Sequence, residues 1–299
     1  MIDVSIIIPV YNREKNIRHS LQSVLAQTFN NYEILVIDDG STQPIGGLQE
    51  IDPRICVLRH DENKGAPAAR NTGILHARGE FIAFLDSDDT WLPEKLSLQI
   101  SFLEKNLDID ICTTGYIYKT EEGTSVEIPK NQNNWGRFIA KGIGLAPGST
   151  MMVHKNIIEQ YLFDTLFPRL EDWDWFIRLM QNHSLYVIQE PLAIIHRGTH
   201  PSAEFVEKAN LLILNKHADY FRNLSSFYGK QCMAKRYLEI ATHYFREKKQ
   251  VQGWSYLWKT IKTNPIQRPS MYLRILDYLL GTNVLIFIKN LRNRFQKKS

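Results

Sequence analysis

Cysteine is scarce in this chain: 3 among 299 residues, Cys56, Cys112 and Cys232, far apart and with no CxxC pair. That spacing excludes a disulfide scaffold and a cysteine-held zinc cluster, and it fits a reducing compartment. Long apolar runs are missing too. No stretch reaches the ~18 uninterrupted apolar residues that span a bilayer. The longest candidate, Tyr278 to Ile288, is broken by Gly281, Thr282 and Asn283. The start has no basic lead-in, and Val4 to Val10 is too short for a secretory core segment. Neither GxGxxG nor a Walker loop occurs, so two common phosphate-binding folds have no support. What remains is ordinary globular composition, 43% hydrophobic and 23% charged, which excludes disordered and fibrous classes. The length allows one large domain or two ordinary ones.

The first ninety residues alternate apolar runs with amphipathic stretches. Val4–Val10, Tyr32–Ile37, Ile55–Leu58 and Phe81–Leu85 read as buried strands; Glu14–Gln27 and Pro67–Ala77 read as helices. That order predicts a Rossmann-like α/β fold with a mostly parallel sheet and right-handed crossovers. Ligands of such sheets lie beyond the strands' carboxyl ends. There the sequence supplies Tyr11-Asn12-Arg13, Asp38-Asp39-Gly40-Ser41-Thr42 and Asp86-Ser87-Asp88-Asp89, which should meet at one edge.

Further along, the spacing predicts a helix over Pro93–Asn106, a strand over Ile109–Tyr118, and a turn and loop over Glu121–Asn134. A short strand at Ser149–Val153, a helix over Asp172–Gln181 and a strand pair, Leu185–Ile188 with Leu192–Ile195, follow. After residue 204 only helical periodicity remains, in Ala203–Arg222, Lys230–Glu247, Val251–Thr263 and Arg268–Leu280.

Carboxylates as crowded as Asp86, Asp88 and Asp89 repel one another unless a cation or donors compensate. Oxygen ligands of this kind suit Mg²⁺ or Mn²⁺, completed by substrate phosphates. An acidic turn capping the next helix is the equal alternative. Asp38-Asp39-Gly40 is likewise either a turn or a carboxylate that accepts hydrogen bonds from a nucleobase or ribose. In Asn63-Lys64-Gly65-Ala66-Pro67, Gly65 permits close backbone approach, and Lys64 and Arg70 place cations near a helix N-terminus where phosphates bind. An ordinary loop-to-helix junction accounts for the same residues.

Together these segments resemble the family 2 inverting glycosyltransferases. The resemblance rests on Ser5–Arg13 (SIIIPVYNR), Val36–Thr42 (VIDDGST), Lys64-Gly65 with Ala69–Gly73 (ARNTG), and Gly79–Asp89 (GEFIAFLDSDD). Phe163-Asp164 and Arg169–Arg178 (RLEDWDWFIR) complete it, so it covers roughly residues 3–200. It implies a GT-A-like fold that uses Mn²⁺ or Mg²⁺ and a nucleotide-sugar donor, taken as a UDP-sugar. Pro9, Tyr11 and Asp39 would line the nucleobase pocket with Asn12 nearby, and Gly65, Arg70 and Ser87 belong with the donor-binding residues. Asp86 would lie near ribose and metal, and Asp88 would be the direct metal ligand. Asp172 would be the catalytic base, flanked by the acceptor residues Glu171 and Trp173; Trp175, at helical spacing, is expected in the core. His200 is the third metal candidate the resemblance implies, but the segment His196–His200 departs from the family's spacing, so His196 or neither histidine is the alternative. The alternatives to transfer are an inactive sugar-nucleotide-binding scaffold of this fold and a nucleotidyltransferase.

The net charge of +4 hides a division. Residues 1–204 hold 18 Lys+Arg and 27 Asp+Glu, a balance of −9, whereas residues 205–299 hold 18 and 5, a balance of +13. The expected organisation is a catalytic domain over 1–204, its donor half to about 105 and its acceptor half over 106–204, followed by a basic helical appendage over 205–299. The apolar and basic tail 281–299 reads as an interfacial helix drawn to anionic lipid. This places the chain in the cytoplasm at the inner face of the membrane. Nucleic-acid binding is the competing use of that charge, but no nucleic-acid module accompanies it; a solvated helical face or contact with another copy of the chain is the ordinary alternative.

Overall fold

The computed structural model describes residues 2–120, 123–131, 144–196 and 201–265. Their contacts divide into two compact units, one of residues before 197 and one of residues 201–265.

The first unit is built on strand β1, Val4–Val10, buried along its whole length. Its β-branched run suits a position between two neighbours with both faces covered. It pairs in parallel with β2, Tyr32–Asp38, and with β4, Phe81–Phe84; β3, Ile55–Arg59, extends the sheet beyond β2. Pro9 lies past Ile7, the last residue paired to β4, so its missing N–H falls where one neighbour has already diverged. Helix α1, Glu14–Leu25, buries Ile17, Leu21 and Val24, and α2, Ala66–His76, carries Pro67 in its first turn.

Beyond β4 the sheet becomes mixed. Helix α3, Lys95–Lys105, leads to β6, Ile111–Thr120; the two-residue β5, Thr90–Trp91, joins the far edge. The strand order is β3-β2-β1-β4-β8-β6-β9-β5, with β8 at Met152–His154 and β9 at Leu185–His196. The short helices α4, Pro147–Thr150, and α5, Lys155–Ile158, flank β8, and α6 spans Glu171–Leu179. Two expectations are corrected. Part of the polar segment Glu121–Asn134 is strand β7, Gly123–Glu127, in a hairpin with β6. The expected strand pair at 185–195 is one strand, β9, whose register against β6 shifts around Gly115.

The second unit holds α7, Ala203–Lys216, α8, Ala218–Asn223, α9, Ser226–Arg246, and α10, Gln250–Thr263. Ser202 caps α7 by accepting a hydrogen bond from the Phe205 N–H at 3.3 Å. Leu238, Ala241, Phe245, Tyr256 and Leu257 form its core. The expected helix Arg268–Leu280 and the tail 281–299 lie outside the described residues. Among those described, no helix is long and apolar enough to cross a membrane.

Candidate active site

The carboxyl ends of β1, β2 and β4 open onto a cavity of about 610 Å³. Pro9, Tyr11, Arg13, Asp39, Gly65, Arg70, Asp86, Ser87 and Asp88 all line it. Its floor at Asp39 is organised by the chain itself. Gly40, with φ +71°, lies so close to Glu62 that a Cβ there would fall 2.4 Å from the Glu62 carbonyl carbon. This close approach brings the 60–65 loop over the carboxylate. Asp39 Oδ1 accepts from the Lys64 N–H at 3.0 Å and contacts His60 Nδ1 at 2.7 Å, and Oδ2 accepts from the Gly65 N–H at 2.8 Å. A carboxylate has about four acceptor sites, so three bonds leave room for one further donor. His60 Nε2 in turn meets Thr72 Oγ1 at 2.9 Å, which anchors the ring to α2.

The acidic turn after β4 gives its carboxylates three different surroundings. Asp89 is buried, accepting from Ser149 Oγ at 2.6 Å and from the His196 N–H at 2.9 Å; burial, followed by the charge of Asp86, pushes it up to about 8. Asp86 accepts from Arg70 Nη2 at 2.7 Å, and 39% of its side chain remains exposed to the cavity. Burial raises its carboxyl above the ordinary value, with Arg70 pulling the other way. Asp88 pairs with Arg13, Nη1 to Oδ2, at 2.5 Å. Arg70 is buried and reaches Glu171 Oε1 from Nη1 at 2.8 Å. Burial alone would lower its guanidinium, but Asp86 and Glu171 outweigh that and raise it.

Two carboxylates, Asp86 and Asp88, therefore face one cavity. Among the described residues no group of three or more ligating side chains is clustered for a metal. This donor set fits Mg²⁺ or Mn²⁺ held by one or two carboxylates plus substrate phosphates, and it does not fit an all-protein cage.

An adjoining cavity of about 340 Å³ shares Arg70, Asp86, Arg169 and Glu171 with the first and adds Gly148, Asp172 and Trp173. Asp172 sits in the first turn of α6 and accepts from the Trp173 N–H at 2.8 Å. Burial, then the charge of Glu171, pushes its carboxyl up to about 6. Leu170, just before this helix, has φ +67°, and Ala146, just before α4, has φ +45°. Non-glycine residues in this region are strained by about 1–3 kcal/mol, and here both lie beside the second cavity.

Several placements differ from the sequence reading. Asn12 does not line the main cavity; its Oδ1 accepts from the Thr42 N–H at 2.8 Å, and its own N–H donates to Ser41 Oγ at 2.9 Å, tying two loops together. Glu171, expected on the acceptor, lines the second cavity beside Asp172 and Trp173 and is also bound to Arg70. His200 lies outside the described residues; His196 lines the cavity at the end of β9. Trp175 is fully buried and stacks on Phe163 at 5.0 Å, as its spacing predicts.

Sequence reasoning missed the roles of His60, Gly148 and Ser149, and it placed Arg13 at this edge without its pairing to Asp88. Ser149 Oγ accepts from the Asp86 N–H at 3.1 Å while donating to Asp89, so it clamps the acidic turn. A Cβ on Gly148 would fall 2.6 Å from Asp86 Oδ2. Gly148→Ala is thus expected to fold normally while displacing the Asp86 carboxylate. Titration of the variant with a nucleoside diphosphate and Mn²⁺, the ligands the sequence resemblance leads one to expect, should show at least roughly tenfold weaker binding, the worth of one lost charge-assisted contact; wild-type affinity would refute the crowding argument.

Residues 5–162, just over half of the chain, match the sequence profile described as glycosyl transferase family 2. An Escherichia coli protein named UDP-Glc:alpha-D-GlcNAc-diphosphoundecaprenol beta-1,3-glucosyltransferase is 35% identical over 199 residues, covering 62% of this chain and 72% of its own. Uncharacterised glycosyltransferases of Rickettsia felis and Rickettsia conorii are 37% identical over 195 residues, and the chain spans only 32% of their length. Among solved structures, S. aureus TarS 1-349 in complex with UDP-GlcNAc superposes with TM-score 0.63 at 21% identity, covering 88% of this chain and 81% of that one. A Pyrobaculum calidifontis mannosyltransferase in complex with GDP-Man and Mn²⁺ superposes with TM-score 0.58 at 16% identity, covering 93% of this chain and 80% of that one. These structural likenesses speak for the GT-A-type fold, and the sequence profile speaks for descent. The chain belongs to glycosyl transferase family 2.

Proposed function

We propose that this chain is a metal-dependent, inverting glycosyltransferase that moves a sugar from a UDP-sugar to a hydroxyl of a saccharide or lipid-linked saccharide in surface polysaccharide synthesis. The observation that carries this reading is the joining of two cavities through Arg70: the first offers Asp39, Asp86 and Asp88, and the second offers Asp172. The remaining acceptor site of Asp39 suits a nucleobase N–H, and the E. coli relative's named donor is UDP-Glc.

A divalent ion held by Asp86 and Asp88 would offset the charge developing on the departing diphosphate. Arg70 holds Asp86 in place. Asp172 takes the proton from the acceptor hydroxyl as its oxygen attacks the anomeric carbon. One displacement from the face opposite the diphosphate inverts the configuration. We assign this chemistry to the expected catalytic domain, residues 1–204, and a peripheral membrane position to the whole chain. A screen of nucleotide sugars for diphosphate release, with and without Mn²⁺ or Mg²⁺, tests the reading. Release from a UDP-sugar with metal is expected; no release and no nucleotide binding would favour a scaffold.

The Arg13–Asp88 pair adds a consequence. Arg13 pairs with Oδ2 of the proposed metal ligand Asp88, so a guanidinium and a divalent ion would compete for one carboxylate. Arg13→Gln is expected to tighten Mn²⁺ binding to the nucleotide-free protein by a few-fold, the worth of one partly exposed ion pair, read by electron paramagnetic resonance. Unchanged affinity would show that the pair does not compete with the metal.

A further inference from the structure

Val251, Trp254, Trp258 and Ile261 recur at helical spacing and share one side of α10. They are 81%, 52%, 57% and 37% exposed. The side of α10 that carries Gly253, Tyr256, Leu257 and Thr260 is buried, with Tyr256 and Leu257 in the core of the unit. A helix with an apolar stripe on each of two sides has a use for a second apolar partner.

The surroundings say which partner. Lys262 is exposed beside the stripe, its Nζ 5.4 Å from the centre of the Trp258 ring, and the exposed Lys259 carries its Nζ over the Tyr256 ring at 4.2 Å. No carboxylate occurs in the sequence between Glu247 and Asp277, whereas Lys248, Lys259 and Lys262 do; Lys249 is already paired with Glu204 and Glu247. Tryptophan combines an apolar body with one N–H, which favours the boundary between acyl chains and headgroups. Lysines beside it extend their ammonium groups toward phosphates while their stems cover apolar surface. We propose that this side of α10 seats in the surface of an anionic lipid bilayer, with Trp254 and Trp258 as its anchors.

A nucleic acid would match the lysines, but it offers Val251 and Ile261 nothing apolar to bury against. A second copy of the chain would set one basic surface against another, which costs free energy. The inference is independent of the tail 281–299, because α10 presents the stripe itself. It deepens the peripheral membrane position proposed above and does not depend on the transferase chemistry.

Flotation of the full chain with vesicles of equal parts phosphatidylcholine and phosphatidylglycerol tests the proposal. The variant Trp254→Gln/Trp258→Gln is expected to partition at least roughly tenfold less than wild type, since anchoring scales with buried apolar area. Brominated acyl chains should quench tryptophan fluorescence in the wild type and much less in this variant. Lys259→Gln/Lys262→Gln should bind less and with a weaker salt dependence. Trp254 also meets the Phe245 ring edge-on at 5.5 Å, so a second variant, Val251→Gln/Trp258→Gln, guards against local unfolding. Wild-type flotation by both variants overturns the proposal. So does a wild-type dimer in light scattering that the Trp variant converts to monomer while neither floats. Diphosphate release toward a soluble acceptor should be unchanged in these variants, so its loss would indict the fold and not the lipid surface.

Discussion

Asp172→Asn is expected to lower kcat/KM by on the order of 10³, the usual contribution of a positioned proton acceptor, while the affinity for UDP stays at the wild-type value. Asparagine keeps the size of the side chain and can still accept from the Trp173 N–H, so the first turn of α6 has no reason to move. What it cannot do is take a proton. Burial and the neighbouring Glu171 push the Asp172 carboxyl up to about 6. The base works only when ionised. Wild-type kcat/KM should therefore rise with pH through that region and level off above it, and the residual rate of the variant should lack this limb. Steady-state diphosphate release across pH 5 to 8, with UDP binding measured by calorimetry, separates the cases. Near-wild-type turnover would remove Asp172 from the base role without touching the donor site.

Arg70→Leu is expected to destabilise the first unit by about 2–3 kcal/mol, since removing Arg70 leaves Asp86 and Glu171 uncompensated. This is below the full cost of breaking a buried pair because Asp86 is partly solvated. Asp86 and Glu171 both rely on this guanidinium, at 2.7 Å and 2.8 Å, from two different nitrogens. Arg70→Lys supplies one ammonium in place of a planar fork and cannot reproduce both bonds. It should retain part of the stability and little of the UDP affinity. In the double variant Arg70→Leu/Glu171→Leu one stranded carboxylate is gone, so stability should partly return while transfer does not. Urea unfolding followed by near-ultraviolet circular dichroism gives these differences. An Arg70→Leu variant as stable as wild type would mean that the cluster is solvated and not held by Arg70.

The donor half was legible because its strands are buried on both faces. Val4–Val10 and Tyr32–Asp38 read as near-continuous apolar runs, and the polar residues that follow them, Tyr11 and Asp39, line the cavity, whereas Ser5 and Glu33 within the runs hydrogen-bond to each other. Strand β7 was not legible, because all five of its residues are exposed and nothing apolar alternates along it. Strand β9 reads as two strands because Gln189, Glu190 and Pro191 interrupt its apolar pattern where the register shifts.

Within the site, carboxylates announce themselves by type and clustering, but what holds them does not. Asp39 is held by backbone N–H groups of Lys64 and Gly65, and apart from the glycine that the φ of +90° favours at 65, residue type does not announce such donors. Gly148 and Ser149 reach the acidic turn from about 60 residues away, and a single sequence carries no sign of such contacts. Glu171 looks like an acceptor contact by its position beside Asp172. Only the fold reveals that Arg70, far earlier in the chain, has already engaged it.

The anomeric configuration of the product tests the central claim most directly. With an α-linked UDP-sugar, a saccharide acceptor and Mn²⁺, proton NMR of the new glycoside should show the β linkage, formed by one displacement with Asp172 as base. A product that keeps the α configuration would contradict it.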